Sequence, residues 1–158
     1  MRASDNPSLA TISSRVTASA VADPSKKATA NVVIANTGAN ATVTGRVLQE
    51  GTQLGIAGVT VAFYNSLGSE VARVTSGADG RFSRLVPVSA RRFHLIPTSI
   101  PVAYYKAFSY AGTRYTPLVP SCSVPLPTLT AGSTYAMPAG IFLPSAAEPP
   151  PPPPNGCS

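Results

Sequence analysis

The sequence predicts an all-β protein, an antiparallel β-sandwich of about seven strands. Short segments alternate apolar and polar residues, glycine-containing turns separate them, and no amphipathic helix of useful length is found. The 158 residues suit one domain of roughly 100 residues plus tails. Charged residues make up 11% of the chain, well below the usual quarter or so. We therefore expect a largely neutral surface, of the kind that faces other protein, a sugar or an assembled lattice.

Residues 1–40 are rich in Ser, Ala, Thr and Asn, which predicts an extended arm or linker. Within this arm, residues 31–36 have the composition of a strand. One interpretation is a hairpin that extends the sheet. The other is a donated strand, formed by Val32, Val33 and Ile34, that pairs with the exposed edge of a neighbouring subunit.

The domain proper is predicted to span residues 41–144, and it begins with a strand over 42–48. Side chains alternate along a strand, so Val43, Gly45 and Val47 share one face. In the second strand Val59, Val61 and Phe63 form the inward face. Residues 70–75 follow as the third strand.

The fourth strand is predicted at residues 82–88, and a tight turn is predicted directly before it. Asp79 and Gly80 would supply the positive-φ residues of a hairpin there, and with Gly45 they are the predicted turn-defining residues. A fifth strand is expected at 92–96. Residues 98–127 are less regular because of their prolines, and a last strand lies within 131–143.

Residues 145–158 form the predicted tail, in which six prolines follow Glu148. Polyproline is extended at about 3.1 Å per residue, so the prolines reach roughly 19 Å and are expected to act as a rigid spacer. Cys122 and Cys157 are the two cysteines. In an oxidising compartment they could form one disulfide; otherwise they are unrelated thiols, or Cys157 cross-links chains.

Four runs resemble the carboxypeptidase regulatory-like domain, a transthyretin-like (prealbumin-like) module related to Ig-like sandwiches. They are 43–47 (Val-Thr-Gly-Arg-Val), 56–61 (Ile-Ala-Gly-Val-Thr-Val), 79–82 (Asp-Gly-Arg-Phe) after Thr75, and 93–95 (Phe-His-Leu). The resemblance covers about 100 residues and implies the sandwich fold. Arg84 departs from the pattern, because it stands where an apolar residue is usual. The 98–127 segment is longer than expected and is a candidate contact surface.

The candidate contact surface combines a local basic cluster with the tyrosines of the 98–127 segment. The tyrosines could stack on sugar rings or could pack the segment itself. The residues concerned are Arg91, Arg92, His94, Tyr104, Tyr105, Tyr110 and Tyr115.

The sequence offers little for catalysis, so we expect no enzyme, no cofactor and no metal. The domain carries three acids, Glu50, Glu70 and Asp79, and the chain has one histidine, whereas zinc needs three or four ligands. The net charge of +6 is scattered, which argues against a nucleic-acid partner. The sequence contains no run of 18 apolar residues, so no membrane span is predicted. No secretory signal follows Met1, so either the chain is not exported by the usual route or a signal was removed.

These features predict a non-enzymatic structural module that assembles into, or decorates, a larger protein assembly through arm-mediated contacts. The predicted partners are copies of itself or other structural proteins, joined by strand addition. Two settings fit, an extracellular filament or cell-surface layer, and a phage virion. The alternative is a carbohydrate-binding or adhesion accessory module with a glycan partner.

Overall fold

The computed structural model describes residues 12–19, 25, 27–34, 39–116 and 118–147. Their regular secondary structure is β except for one 3-10 turn at Pro97–Ser99. The chain divides into two compact units, Met1–Ala39 and Asn40–Ser158. The limits predicted from the sequence, 1–40, 41–144 and 145–158, stay predictions, and residues 148–158 lie outside the described part.

The first unit contains a β-hairpin. Strands β1 (Ile12–Ser19) and β2 (Lys27–Ile34) pair antiparallel, from Ile12 opposite Ile34 to Ser19 opposite Lys27. Val32, Val33 and Ile34, the candidate donated strand, therefore lie in a strand that is already paired on one side. Their donation to a neighbour stays a prediction.

The second unit contains two sheets. The four-stranded sheet has the order β10-β7-β4-β5, and the six-stranded sheet has β3 at its centre, with β6 on one side and β11, β12, β8 and β9 on the other. The strands are β3 (Asn40–Gln49), β4 (Thr60–Asn65), β5 (Glu70–Thr75), β6 (Arg81–Pro87), β7 (Ala90–Leu95), β8 (Phe108–Tyr110), β9 (Thr113–Tyr115), β10 (Val124–Pro125), β11 (Thr134–Ala136) and β12 (Ile141–Leu143).

The sandwich is not wholly antiparallel, which corrects the prediction. Strand β3 pairs antiparallel with β6, but β11 and β12 both run parallel to it, opposite residues 42–44 and 47–49. Side chains alternate with the same period in both kinds of pairing. The sequence pattern therefore revealed the strands without revealing their direction.

The inward faces of the two sheets form the core. Val59, Val61 and Phe63 are completely buried and belong to the core cluster, which confirms their predicted inward face. Phe93 lies within a cluster of aromatic rings, 6.4 Å from both Phe63 and Phe108 and 5.3 Å from Tyr110. Pairs at these distances add to the stabilisation from burial alone.

The turn at Asp79-Gly80 does not close a hairpin, contrary to the prediction. Strand β5 pairs with β4, and β6 pairs with β3, so the turn carries the chain from one sheet to the other. Gly80 has a φ of +77°. Asp79 does not have a positive φ; its side chain instead accepts a hydrogen bond from the backbone N–H of Arg81, at 3.0 Å.

Close packing explains two of the predicted glycines. A Cβ on Gly80 would lie 2.1 Å from the carbonyl oxygen of Val47. Gly45 lies within β3 and does not define a turn, which is a further correction. A Cβ there would lie 2.5 Å from the ring of Phe82, so the missing side chain makes room for that ring.

Candidate functional site

Strand β6 forms an edge of the six-stranded sheet. Within the described residues it pairs with β3 and has no partner strand on its other side. It is seven residues long, longer than the short edge strands by which many proteins limit unwanted pairing. An unpaired strand of this length presents a row of backbone groups that can accept a further strand.

The phase of the β3–β6 ladder shows which backbone groups face the open side. Val47 donates its N–H to the carbonyl of Gly80 at 2.8 Å, so pairing alternates from that point along the two strands. Phe82, Arg84 and Val86 then direct their backbone groups towards β3. Ser83 and Leu85 direct theirs to the open edge.

The proline at the end of β6 is consistent with this assignment of which backbone groups face the open edge. Pro87 lies opposite Asn40 and has the same orientation as Leu85 two residues earlier. Its missing N–H would have faced the open edge and not β3. Proline is tolerated in a sheet at such edge positions.

The side chains of β6 differ between its two faces. On the inward face Phe82 and Val86 are buried, while Arg84 between them is exposed at the rim of the sandwich. On the outward face lie Arg81, Ser83 and Leu85, and Leu85 is 63% exposed. The edge thus combines accessible backbone groups, one exposed apolar side chain and two arginines.

A depression with a volume of about 730 Å³ adjoins this edge, within the usual range of ligand pockets. β3 forms its floor, β6 borders one side, and the segment between β11 and β12 borders the other. Residues that line it include Thr44, Arg46, Arg81, Ser83, Met137 and Pro138.

Two arginines face each other across the floor of this depression. Arg46 lies directly opposite Arg81 in the β3–β6 pairing. Both contact Asp79: Arg46 donates to its backbone carbonyl at 3.3 Å, and the Nε of Arg81 lies 3.3 Å from its carboxylate. Like charges placed directly opposite each other disfavour the sheet. The Asp79 carboxylate offsets Arg81, whereas Arg46 contacts the backbone carbonyl of Asp79 and not its carboxylate.

The described part of the second unit is basic. Across 39–116 and 118–147 there are eight Arg and Lys residues and three acids. Each acid forms an ion pair with an arginine, Glu50 with Arg114, Glu70 with Arg73 and Asp79 with Arg81. Arg46 and Arg84 form no ion pair with the described residues, so the β6 edge carries uncompensated positive charge.

The predicted basic cluster is only partly on the surface. Arg91 and Arg92 are exposed, and Arg91 donates hydrogen bonds to the carbonyls of Val88 and Ala90. His94 is 2% exposed, which corrects its assignment to a contact surface. Its ring stacks on Tyr64, with centroids 4.9 Å apart, and its Nδ1 lies 2.7 Å from the carbonyl of Leu95.

The predicted tyrosines mainly pack the protein. Tyr110 is 8% exposed, so it too is corrected from surface to interior; burial, with the nearby Tyr135 hydroxyl, raises its pKa to about 12. Tyr115 is half-buried and stacks on Phe108 at 5.1 Å. Tyr104 donates to Gln49 at 3.2 Å, and Tyr105 is half-buried.

Other predicted features concern metal, membrane and disulfide. No group of three or more metal-ligating side chains lies within the described residues. No helix in that part of the chain is long and apolar enough to cross a membrane. Cys122 is buried and disulfide-bonded. Cys157 lies outside the described residues, so their pairing stays a prediction.

Sequence reasoning missed β6 as the edge strand, although two signals were present. One was Arg84, noted as a departure from an apolar pattern, and the other was Pro87 at the strand's end. Both are typical of edge strands. In comparisons with known proteins, no model of a protein family matches the sequence, and no curated protein matches it.

Proposed function

We propose that this protein is a non-enzymatic structural module that joins a larger assembly by accepting an extended strand at the open edge of β6. The observation that carries the proposal is the seven-residue edge, on which Ser83 and Leu85 direct their backbone groups outward. A strand added there continues the six-stranded sheet through main-chain hydrogen bonds. An extracellular filament, a cell-surface layer or a phage virion is the setting in which such a module would act.

We further propose that the second unit is an Ig-like, prealbumin-like sandwich of the carboxypeptidase regulatory-like type. Support comes from the close packing that requires glycine at positions 45 and 80, both within the runs that carry the resemblance. The strand and turn positions of those runs agree with β3, β4 and β6.

The β1–β2 hairpin supports a role for the arm in assembly. A two-stranded sheet is at best marginally stable in water without further packing. Its strands have eight residues each, long enough to pair with an edge strand of another protein. A hairpin that docks on a partner would gain the stability that an isolated one lacks.

Amide hydrogen exchange at Ser83 and Leu85 tests the proposal. The full chain is compared when dilute, when concentrated, and with eight-residue strand peptides that carry glutamate, glutamine or lysine. Strand addition slows exchange of these two amides, because they acquire acceptors in the added strand. If neither concentration nor any peptide slows their exchange, the proposed function is wrong.

Substitution of Leu85 provides the matched control. Leu85→Pro removes an N–H that faces the open edge and leaves the pairing with β3 intact, so it should abolish strand addition in a folded protein. Leu85→Thr keeps the N–H and removes the exposed apolar side chain, so it should largely retain addition. Circular dichroism and thermal unfolding verify that both variants fold.

A further inference from the structure

We infer that the strand accepted at β6 is acidic and comes from a different protein, not from a second copy of this chain. The inference rests on the proposed function and specifies its partner. It is carried by the arginines of β3 and β6, which charge both faces of the same open edge.

The outward face of the edge calls for a carboxylate. Arg46 and Arg81 lie directly opposite each other; the Asp79 carboxylate pairs with Arg81, and Arg46 contacts the Asp79 backbone carbonyl, so the positive charge of Arg46 is left without an acid among the described residues. A strand added beside β6 places one outward side chain next to Arg81, on the same face. Opposite charges in neighbouring strands stabilise a sheet and like charges destabilise it, so glutamate or aspartate suits this position.

The depression next to this position gives such a side chain room. Its border on the β6 side includes Arg81 and Ser83, and Arg46 lies on its floor. Both guanidinium groups can therefore approach one carboxylate from the same side. Arginine binds carboxylates through paired, charge-assisted hydrogen bonds.

The inward face calls for a second carboxylate. Arg84 lies between the buried Phe82 and Val86, yet is exposed at the rim. An added strand would cover part of its guanidinium. Covering a charge without a partner is costly, which is how inward-pointing charges on edge strands prevent indiscriminate pairing. Because Arg84 is three residues after Arg81, the partner needs two acids three positions apart.

The two strands of the first unit, β1 and β2, do not meet this requirement. β1 contains Arg15 and β2 contains Lys27, and neither strand contains an acid. Addition of either strand from a second copy would bring further positive charge to a basic edge. Such like-charge contacts suppress the wrong partner, which favours a heterologous acidic strand over self-addition.

The experiment uses the full chain and three eight-residue peptides of alternating threonine and valine. Two positions, three residues apart, carry glutamate in the first peptide, glutamine in the second and lysine in the third. A fourth peptide reproduces residues 27–34. We expect the glutamate peptide to slow exchange at Ser83 and Leu85 and to bind about tenfold more tightly than the glutamine peptide. Its affinity should fall as salt is added, because salt screens exposed charges.

Variants of the edge arginines assign the effect to particular side chains. Arg81→Gln and Arg84→Gln should each weaken the glutamate peptide about threefold. Arg91→Gln is the control, since Arg91 is also exposed but lies on β7, which is paired on both sides. Arg81→Glu should shift the preference towards the lysine peptide.

The outcomes separate this inference from the proposed function. Equal binding of the glutamate and glutamine peptides overturns the inference, as does tighter binding of the 27–34 peptide, or protection of the two amides by concentration alone. In each of those cases strand addition still occurs and the proposed function stands. If no peptide and no protein concentration protects the two amides, both the inference and the proposed function are wrong.

Discussion

At the scale of single residues, glycine positions show how strongly local packing restricts this sequence. Gly80 and Gly132 both have a positive φ, +77° and +73°. A Cβ on Gly80 would lie 2.1 Å from a backbone oxygen, whereas a Cβ on Gly132 would meet nothing within 4 Å. The two sites thus share the same conformational demand and differ in crowding.

Substitution by alanine separates these two effects. Gly132→Ala should lower the free energy of unfolding by about 1–2 kcal/mol, the cost of the left-handed conformation. Gly80→Ala should cause a clearly larger loss of unfolding free energy, at least about 3 kcal/mol, because the backbone of the Val47 region must also move. Urea unfolding of both variants measures the difference. Equal losses would show that crowding at Gly80 is relieved at little cost.

The buried Tyr110 hydroxyl is expected to make the folded protein less stable at alkaline pH. Its pKa is raised to about 12, chiefly by burial, above the usual value near 10. A raised pKa means that the folded state holds the proton more tightly, so its stabilisation is complete below about pH 10 and declines between pH 10 and 12. Tyr110→Phe should therefore lose less stability than the wild type over this interval. Urea unfolding at pH 9 and 11 tests this, with Tyr104→Phe as the control.

At the scale of strands, the sequence predicted which segments are extended but not how they connect. The alternation around Val59, Val61 and Phe63 placed β4 and its inward face correctly. The Asp79-Gly80 turn was misassigned to a hairpin, because the same turn residues serve a connection between sheets. The alternation of apolar and polar residues also did not reveal that β11 and β12 run parallel to β3, since strand direction depends on the path of the whole chain.

The candidate site was less predictable than the fold for a similar reason. His94 and the tyrosines were chosen by residue type, but burial of His94 and Tyr110 is set by neighbours distant in sequence. The open edge of β6 is a property of strand order, which single-strand periodicity does not encode. Arg84 was visible only as an exception to a pattern.

That exception leads to a prediction about the β6 strand. Arg84→Val should make the open edge continuously apolar on its inward face, and such edges pair with one another. We expect concentration-dependent association by sedimentation velocity, while the wild type sediments as a smaller species under the same conditions. Arg91→Val also removes an exposed arginine, but from a strand paired on both sides, and it should not associate. Association of both variants would assign the effect to lost charge alone.

At the scale of the whole molecule, one prediction concerns the pairing of the chain's two cysteines. Cys122 is 3% exposed and disulfide-bonded, and Cys157 is the chain's other cysteine. A bond between them would close a loop that includes β11, β12 and the prolines. Loop-closure entropy then predicts a stabilisation of about 3–4 kcal/mol, a large share of the 5–15 kcal/mol or so that is typical of small proteins.

Cys157→Ser should therefore lower the free energy of unfolding by about 3–4 kcal/mol, and reduction of the wild type should produce the same loss. Reduction of the variant is the control and should change nothing further. Peptide mapping without reductant identifies the bond directly, as a fragment that joins the regions around residues 122 and 157 within one chain. Chains joined to each other through Cys157 would instead show that the bond belongs to the assembly, and would move the stabilising contribution from folding to association.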